Sequence, residues 1–187
     1  RAQASSTTVL TESAPNAEMI KFVFPARDNM PKVAMPEVEV IWYDGGLKPE
    51  RPAGLAPGKD LNYQGGGVIF HGTKDTLICG CYGREPYLLS GRNPEVPHVL
   101  REITLSHQQD WVRSCKEPYE TRVKPASDFS EAGPFTEMVL MGVLAVRLAA
   151  LNIELEWDGE NMRFTNIPDD ATIRTVIQDG FSIKDGH

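Results

Sequence analysis

Apolar and polar positions alternate with period two over much of residues 5–43, and the pattern predicts three strands. Thr7, Thr8, Val9 and Leu10 form the first extended run. In the second, Ile20, Phe22 and Phe24 share one face while Met19, Lys21 and Val23 share the other, and Pro25 ends the ladder because it has no N–H to give. In the third, Val38, Val40 and Trp42 face one way and Glu39, Ile41 and Tyr43 the other. Such a sheet has one strongly apolar side and one mixed side, which suits either water or another subunit. Asp44, Gly45 and Gly46 then supply the turn chemistry that stops the strand.

Periodicity disappears from 47 to 67, where prolines and glycines accumulate, and a long irregular excursion out of the sheet is expected. Residues 68–71 and 76–79 follow as a hairpin joined by Gly72, Thr73, Lys74 and Asp75. A second irregular stretch, 82–101, contains Pro86, Pro94 and Pro97.

The period changes to that of a helix further on. Ser106 with Gln109 has the spacing of a capping box, and Trp111, Val112 and Cys115 continue as an apolar stripe, predicting a helix over 107–116. Gly133 and Pro134 read as the start of the strongest helix, since proline at the first helical position sacrifices no hydrogen bond. Phe135, Val139, Leu140, Val143, Leu144, Leu148 and Leu151 recur along it and predict a mostly buried helix. Ile153, Leu155 and Trp157 alternate again, Asp158 and Gly159 turn the chain, and Met162 and Phe164 complete a short return strand. Pro168 with Asp169 and Asp170 predicts a last short helix, acidic residues suiting its N-terminal dipole.

Strands first, then helices, then short strands and a helix is the order of an α+β domain: an open, mainly antiparallel sheet with helices packed on one face. The 187 residues fit one such domain, with the excursion at 47–67 as its arm. Nineteen Lys and Arg against 26 Asp and Glu leave a net charge of −7, so a sequence-independent grip on nucleic acid or anionic lipid has no electrostatic drive. The longest apolar stretch, 138–151, is interrupted by Arg147 and falls short of the ~20 residues that span a bilayer, so no membrane segment is expected. Position 1 is Arg, and no apolar signal core follows, which reads as a processed or excised piece of a longer chain. Three cysteines, Cys79, Cys81 and Cys115, make no disulfide framework and leave the redox compartment open.

Little in the sequence carries chemistry outright. Gly65, Gly66 and Gly67 invite comparison with a dinucleotide fingerprint, but Phe70 stands where the third glycine or alanine belongs and a strand follows instead of a helix. Cys79 and Cys81 are too close for a zinc or redox pair, and the four histidines are scattered, so neither a metal site nor a catalytic base is assigned. Glu154, Glu156, Asp158 and Glu160 read as a solvated face, because nothing apolar stands there to raise a carboxyl pKa. The segment Trp42-Tyr43-Asp44-Gly45-Gly46, followed by Arg51, is the substrate-binding candidate. Trp42 and Tyr43 offer aromatic faces, Asp44 a carboxylate and Arg51 a guanidinium, a set suited to the C–H faces and hydroxyls of a sugar or other polyol.

Three longer words go further: Trp42-Tyr43-Asp44-Gly45-Gly46-Leu47-Lys48-Pro49, then Ser127-Asp128-Phe129 leading to Ala132-Gly133-Pro134-Phe135-Thr136-Glu137-Met138, then Leu155-Glu156-Trp157-Asp158-Gly159-Glu160-Asn161-Met162. In order and spacing they resemble the C-terminal domain of Gfo/Idh/MocA-type oxidoreductases, in the bacterial subgroup, over essentially the whole chain. Thr11-Glu12, Phe24-Pro25-Ala26-Arg27 and Ser106-His107 with Trp111 fit the same pattern.

The resemblance implies a parent enzyme that uses NAD or NADP on a sugar-like substrate. Its N-terminal Rossmann domain would carry the cofactor, and this C-terminal domain would shape the substrate pocket and form a homo-oligomer through its sheet. It implies no catalytic residue and no cofactor for this piece: Lys116-Glu117-Pro118 has the wrong order for the family's Glu-Lys-Pro, and Asp185-Gly186-His187, read as a polar tail, has the wrong spacing for its Asp-x-Gly-x-His. Gln178-Asp179-Gly180-Phe181 also departs from the family's Arg-x-Gly-Trp. The alternatives are a relative that cleaves glycosides with bound NAD, or a stand-alone carbohydrate- or partner-binding module. Bacterial cytoplasm and periplasm both fit.

Overall fold

The computed structural model describes residues 1–10, 12–28, 35–59 and 65–168. The expected helix after Pro168 and the segments 178–181 and 185–187 lie outside these residues, as does Thr11. The fold is α+β, with three small antiparallel sheets and two α-helices among the described residues. It divides into two compact units, one comprising Arg1–Pro49 and Ile103–His187, the other Glu50–Glu102.

The first unit is built on β1 (Ala2–Ser6), β2 (Glu18–Phe24) and β3 (Val38–Tyr43), paired antiparallel in that order. β2 and β3 follow the alternation in the sequence. The first strand does not: it is Ala2–Ser6 and not the run Thr7–Leu10. Register explains the difference, because Ala2 and Ala4 lie opposite Phe22 and Ile20 on the face that packs against a helix. Small side chains are needed there for close approach, and alanine carries no strong periodic signal.

That helix is α2 (Phe129–Arg147). It starts a turn earlier than expected, at the Asp128 N-cap, whose carboxylate accepts from the Ser130 backbone N–H at 3.0 Å, so Pro134 lies inside the helix instead of opening it. Nor is it mostly buried. Met141, Gly142, Ala145 and Val146 meet the sheet, whereas Phe135, Val139, Leu140 and Val143 remain exposed. Gly142 decides the contact. A Cβ there would stand 2.8 Å from Phe22 Cζ, so only glycine lets the helix lie this close over the ring.

Ala2, Ala4, Ile20, Phe22, Met141, Ala145, Val146, Leu148 and Leu155 form the core, with Trp157 and Phe164 packed against it. By length and composition alone α2 is long and apolar enough to cross a membrane, with a mean hydropathy of 1.2 over 18 residues. Part of it is nonetheless this core.

α1 (His107–Lys116) appears as expected, with both halves of the Ser106–Gln109 capping box formed. Its Asp110 is buried and holds the following chain: it accepts from Arg113 Nε and Nη2 at 3.1 Å and from the Ala126 N–H at 2.9 Å. Arg113 also bonds Glu117 and the Val123 carbonyl. The short hairpin β7 (Trp157–Asp158) and β8 (Arg163–Phe164) closes the described chain, its two rings meeting edge-on with centroids 5.0 Å apart.

The second unit holds the expected hairpin, β4 (Gly67–His71) with β5 (Thr76–Gly80), and adds a short third strand, β6 (Tyr87–Leu88). The excursion placed at 47–67 straddles the boundary, with 47–49 in the first unit and the chain from Glu50 in this one. Asp75, in the turn that joins β4 to β5, ties that turn to the chain leaving β6 by accepting from the Thr76 and Ser90 N–H groups and from Arg92.

Candidate functional site

The end of β3 positions three of the four substrate-binding candidates. Trp42 lies opposite Ile20 on the helix side of the sheet, and Tyr43 lies opposite Met19. Neighbouring strand residues point to opposite faces, so the two rings do not share a surface. Asp44 begins the turn: its N–H donates to the Glu18 carbonyl at 2.9 Å and its Oδ1 accepts from the Gly45 N–H at 2.6 Å.

Gly45 is required here. Its φ is +65°, and a Cβ would clash with the backbone of Asn16 and Ala17. Arg51 belongs to the second unit, where its guanidinium donates to the Lys59 carbonyl at 3.1 Å and to the Ala56 carbonyl.

The Asp44 turn borders a group of residues that sequence reasoning did not bring together. A cleft of about 320 Å³ lies between the 9–18 segment and the C-terminal half of α2, lined by Leu10, Glu12, Pro15, Glu18, Val143 and Arg147 among others. Partial burial, reinforced by the nearby charge of Asp44, pushes the Glu18 carboxyl above its ordinary value. The cleft therefore offers an apolar wall with carboxylates and a guanidinium at its margin, chemistry that can hold a small polar molecule with an apolar face. No spacing rule connects Glu12, Glu18 and Arg147, because only the docking of α2 on the sheet brings them together.

A larger open groove of about 590 Å³ runs along α1 beside Leu105, Gln108, Val112 and Lys116. Among the described residues, no cluster of three or more His, Cys, Asp or Glu is arranged to hold a metal ion, and the three cysteines are unbridged.

Two of the words that carry the family resemblance meet in space. Trp157 Nε1 donates to Glu137 Oε1 at 2.7 Å, joining the β7–β8 hairpin to α2. Gly159 completes the junction, since a Cβ on it would come within 2.9 Å of that same oxygen. In comparisons with known families and with curated proteins, the chain matches none.

Proposed function

We propose that this chain is the C-terminal, substrate-shaping and subunit-interface domain of an NAD(P)-dependent oxidoreductase acting on a sugar or other polyol. The observation that supports this most is the junction of Glu137, Trp157 and Gly159. Residues from two separate words of the resemblance are those whose chemistry the packing requires: a carboxylate to accept from the indole, and a glycine to leave that carboxylate room. The Asp44-Gly45 turn supports it in the same way, with glycine at a positive-φ position closed to any Cβ. On this reading the nicotinamide cofactor and the hydride-transfer residues belong to the partner Rossmann domain, and the domain described here supplies walls and polar groups for the substrate.

The test is made on the parent polypeptide. Calorimetric titration with NAD(H) and NADP(H), followed by a 340 nm assay over a panel of sugars and polyols, is expected to give micromolar cofactor binding and substrate-dependent hydride transfer. A parent with no affinity for either nucleotide overturns the reading. Release of an aglycone from a glycoside without net NADH formation would move it to glycoside cleavage.

A further inference from the structure

We propose that the Asp44–Gly45 peptide is a site of spontaneous backbone isomerisation, where aspartate closes to a succinimide and reopens as isoaspartate, and that the fold protects Asp158–Gly159 from the same reaction. The proposal is independent of the functional reading above. In the closing step the backbone nitrogen of the glycine attacks the aspartate Cγ. A C–N bond forms, and the N–H proton and the carboxyl hydroxyl leave as water. Water then adds to the ring, and cleavage of the bond between that nitrogen and the α-carbonyl carbon leaves the chain running through Cβ. Nothing is oxidised or reduced, and the product has the mass of the reactant. Glycine favours the attack because it has no Cβ to shield the nitrogen.

By sequence the two Asp-Gly pairs are equivalent, and the structure separates them. At Asp44 the main chain is pinned on both sides: its N–H donates to the Glu18 carbonyl at 2.9 Å and its carbonyl accepts from the Leu47 N–H at 3.3 Å. Between these anchors the Gly45 N–H donates to the Oδ1 of Asp44 itself at 2.6 Å. Nitrogen and carboxyl are therefore already side by side, and a turn of the carboxyl presents Cγ in place of the oxygen, an arrangement close to that of attack. Among the described residues no other hydrogen bond or ion pair draws this carboxylate away.

Asp158 is held differently. Its Oδ1 accepts from the Asn161 N–H at 3.2 Å and its Oδ2 from Asn161 Nδ2 at 2.7 Å, with Arg163 Nε 3.9 Å from Oδ2. Both oxygens are thus engaged by residues 161 and 163. The Asn161 bonds also keep this carboxyl below its ordinary value, and an ionised carboxylate has no hydroxyl to lose.

Isomerisation at Asp44 lengthens the backbone by one methylene. Gly45 has no room for it, since even a Cβ there would stand 2.0 Å from the Asn16 carbonyl oxygen. The lengthened chain cannot keep both Gly45 in this slot and Asp44 on the Glu18 carbonyl, so the change loosens the end of β3 beside Trp42 and Tyr43.

The folded chain is incubated at mildly acidic pH, and isoaspartate is located by peptide mapping with electron-transfer fragmentation. Mapping by peptide is needed because Asp179 and Asp185, outside the described residues, also precede glycine. Isoaspartate is expected to accumulate at Asp44 at least about tenfold faster than at Asp158, and in urea the two rates are expected to converge. Asn161→Ala, which frees the Asp158 carboxylate, is expected to speed the reaction at Asp158 alone, with circular dichroism checking the fold. Equal rates in the folded wild type, or a faster rate at Asp158, overturn the proposal. A difference that persists unchanged in urea overturns it as well, because it would belong to the local sequence and not to the fold. Should Asn161→Ala not fold, the comparison of folded and urea-unfolded wild type decides by itself.

Discussion

The Trp157 indole and the Glu137 carboxylate, 20 residues apart in sequence, form a 2.7 Å hydrogen bond that ties the β7–β8 hairpin to the middle of α2. Trp157 also packs edge-on against Phe164, so its ring contributes burial as well as the bond. Trp157→Phe keeps most of the burial and removes the donor, leaving a partly buried carboxylate short of a partner. A hydrogen bond to a charged group is worth about 1.5–3 kcal/mol, and a loss near the lower figure is expected in urea unfolding. Glu137→Gln retains an acceptor and should lose less.

Gly142 gives a sharper test of how α2 sits on the sheet. On an exposed helix Gly→Ala stabilises by about 0.5–1 kcal/mol. Here the new methyl would stand 2.8 Å from the buried Phe22 ring and 3.4 Å from Ile20 Cδ1. Overpacking of this kind typically costs about 1–3 kcal/mol, so Gly142→Ala is expected to lower the unfolding midpoint despite its better helix propensity. Pairing it with Phe22→Leu should recover part of the loss, and a double-mutant cycle measures the coupling.

What the sequence disclosed follows from how local each signal is. The alternation of β2 and β3, the hairpin around Asp75 and the Ser106–Gln109 capping box all depend on neighbours within a few residues, and they stand where the pattern places them. The first strand and the buried face of α2 depend on a distant surface. Ala2, Ala4, Gly142 and Ala145 are there because the sheet and helix approach closely, whereas the larger Val139, Leu140 and Val143, which dominate the helical periodicity, point away from that contact. Among the candidate substrate residues, adjacency in sequence set Trp42 and Tyr43 on opposite faces of the strand. The cleft beside Glu18 was invisible for the opposite reason, its lining coming from two distant parts of the chain.

Asp110 is a buried charge whose role is structural. It anchors Arg113 and the Ala126 N–H, and with Glu117 it fixes the path of the chain between α1 and α2. Removing one member of a buried pair costs about 3–5 kcal/mol because the other is left uncompensated. Arg113 is partly exposed and keeps Glu117 as a partner, so Asp110→Ala is expected at the low end, about 3 kcal/mol, by chemical denaturation. Increased proteolysis within 117–126 should accompany the loss.

Acid stability follows from carboxylates held in their charged form. The Arg113 bond and the Val123 N–H hold Glu117 below its ordinary value, Ser130 does the same for Asp128, and Asn161 for Asp158. A depressed carboxylate binds fewer protons folded than unfolded, so its contribution is complete above the unfolded pKa and is lost as pH falls through the folded one. The unfolding midpoint is therefore expected to drop below about pH 4. Glu117→Gln should flatten part of that acid limb, and a limb identical to that of the wild type would remove Glu117 from it.

Glu18 carries the opposite sign. Burial first, and the charge of Asp44 second, raise its pKa, so the folded chain holds this proton more tightly than the unfolded one. Its ionisation accordingly works against folding, and stability declines as pH rises from the ordinary glutamate value through the raised one. Glu18→Gln removes that penalty at neutral pH. Because the group keeps substantial contact with water, the gain is expected to be small, under about 0.5 kcal/mol at pH 7, and to vanish below about pH 4 where the wild-type side chain is already protonated. Urea unfolding at the two pH values reads the difference directly. Asp44→Asn should reproduce a fraction of the gain by removing the second cause, while a loss on Glu18→Gln at pH 7 would mean that the carboxylate is held by a favourable partner in the cleft.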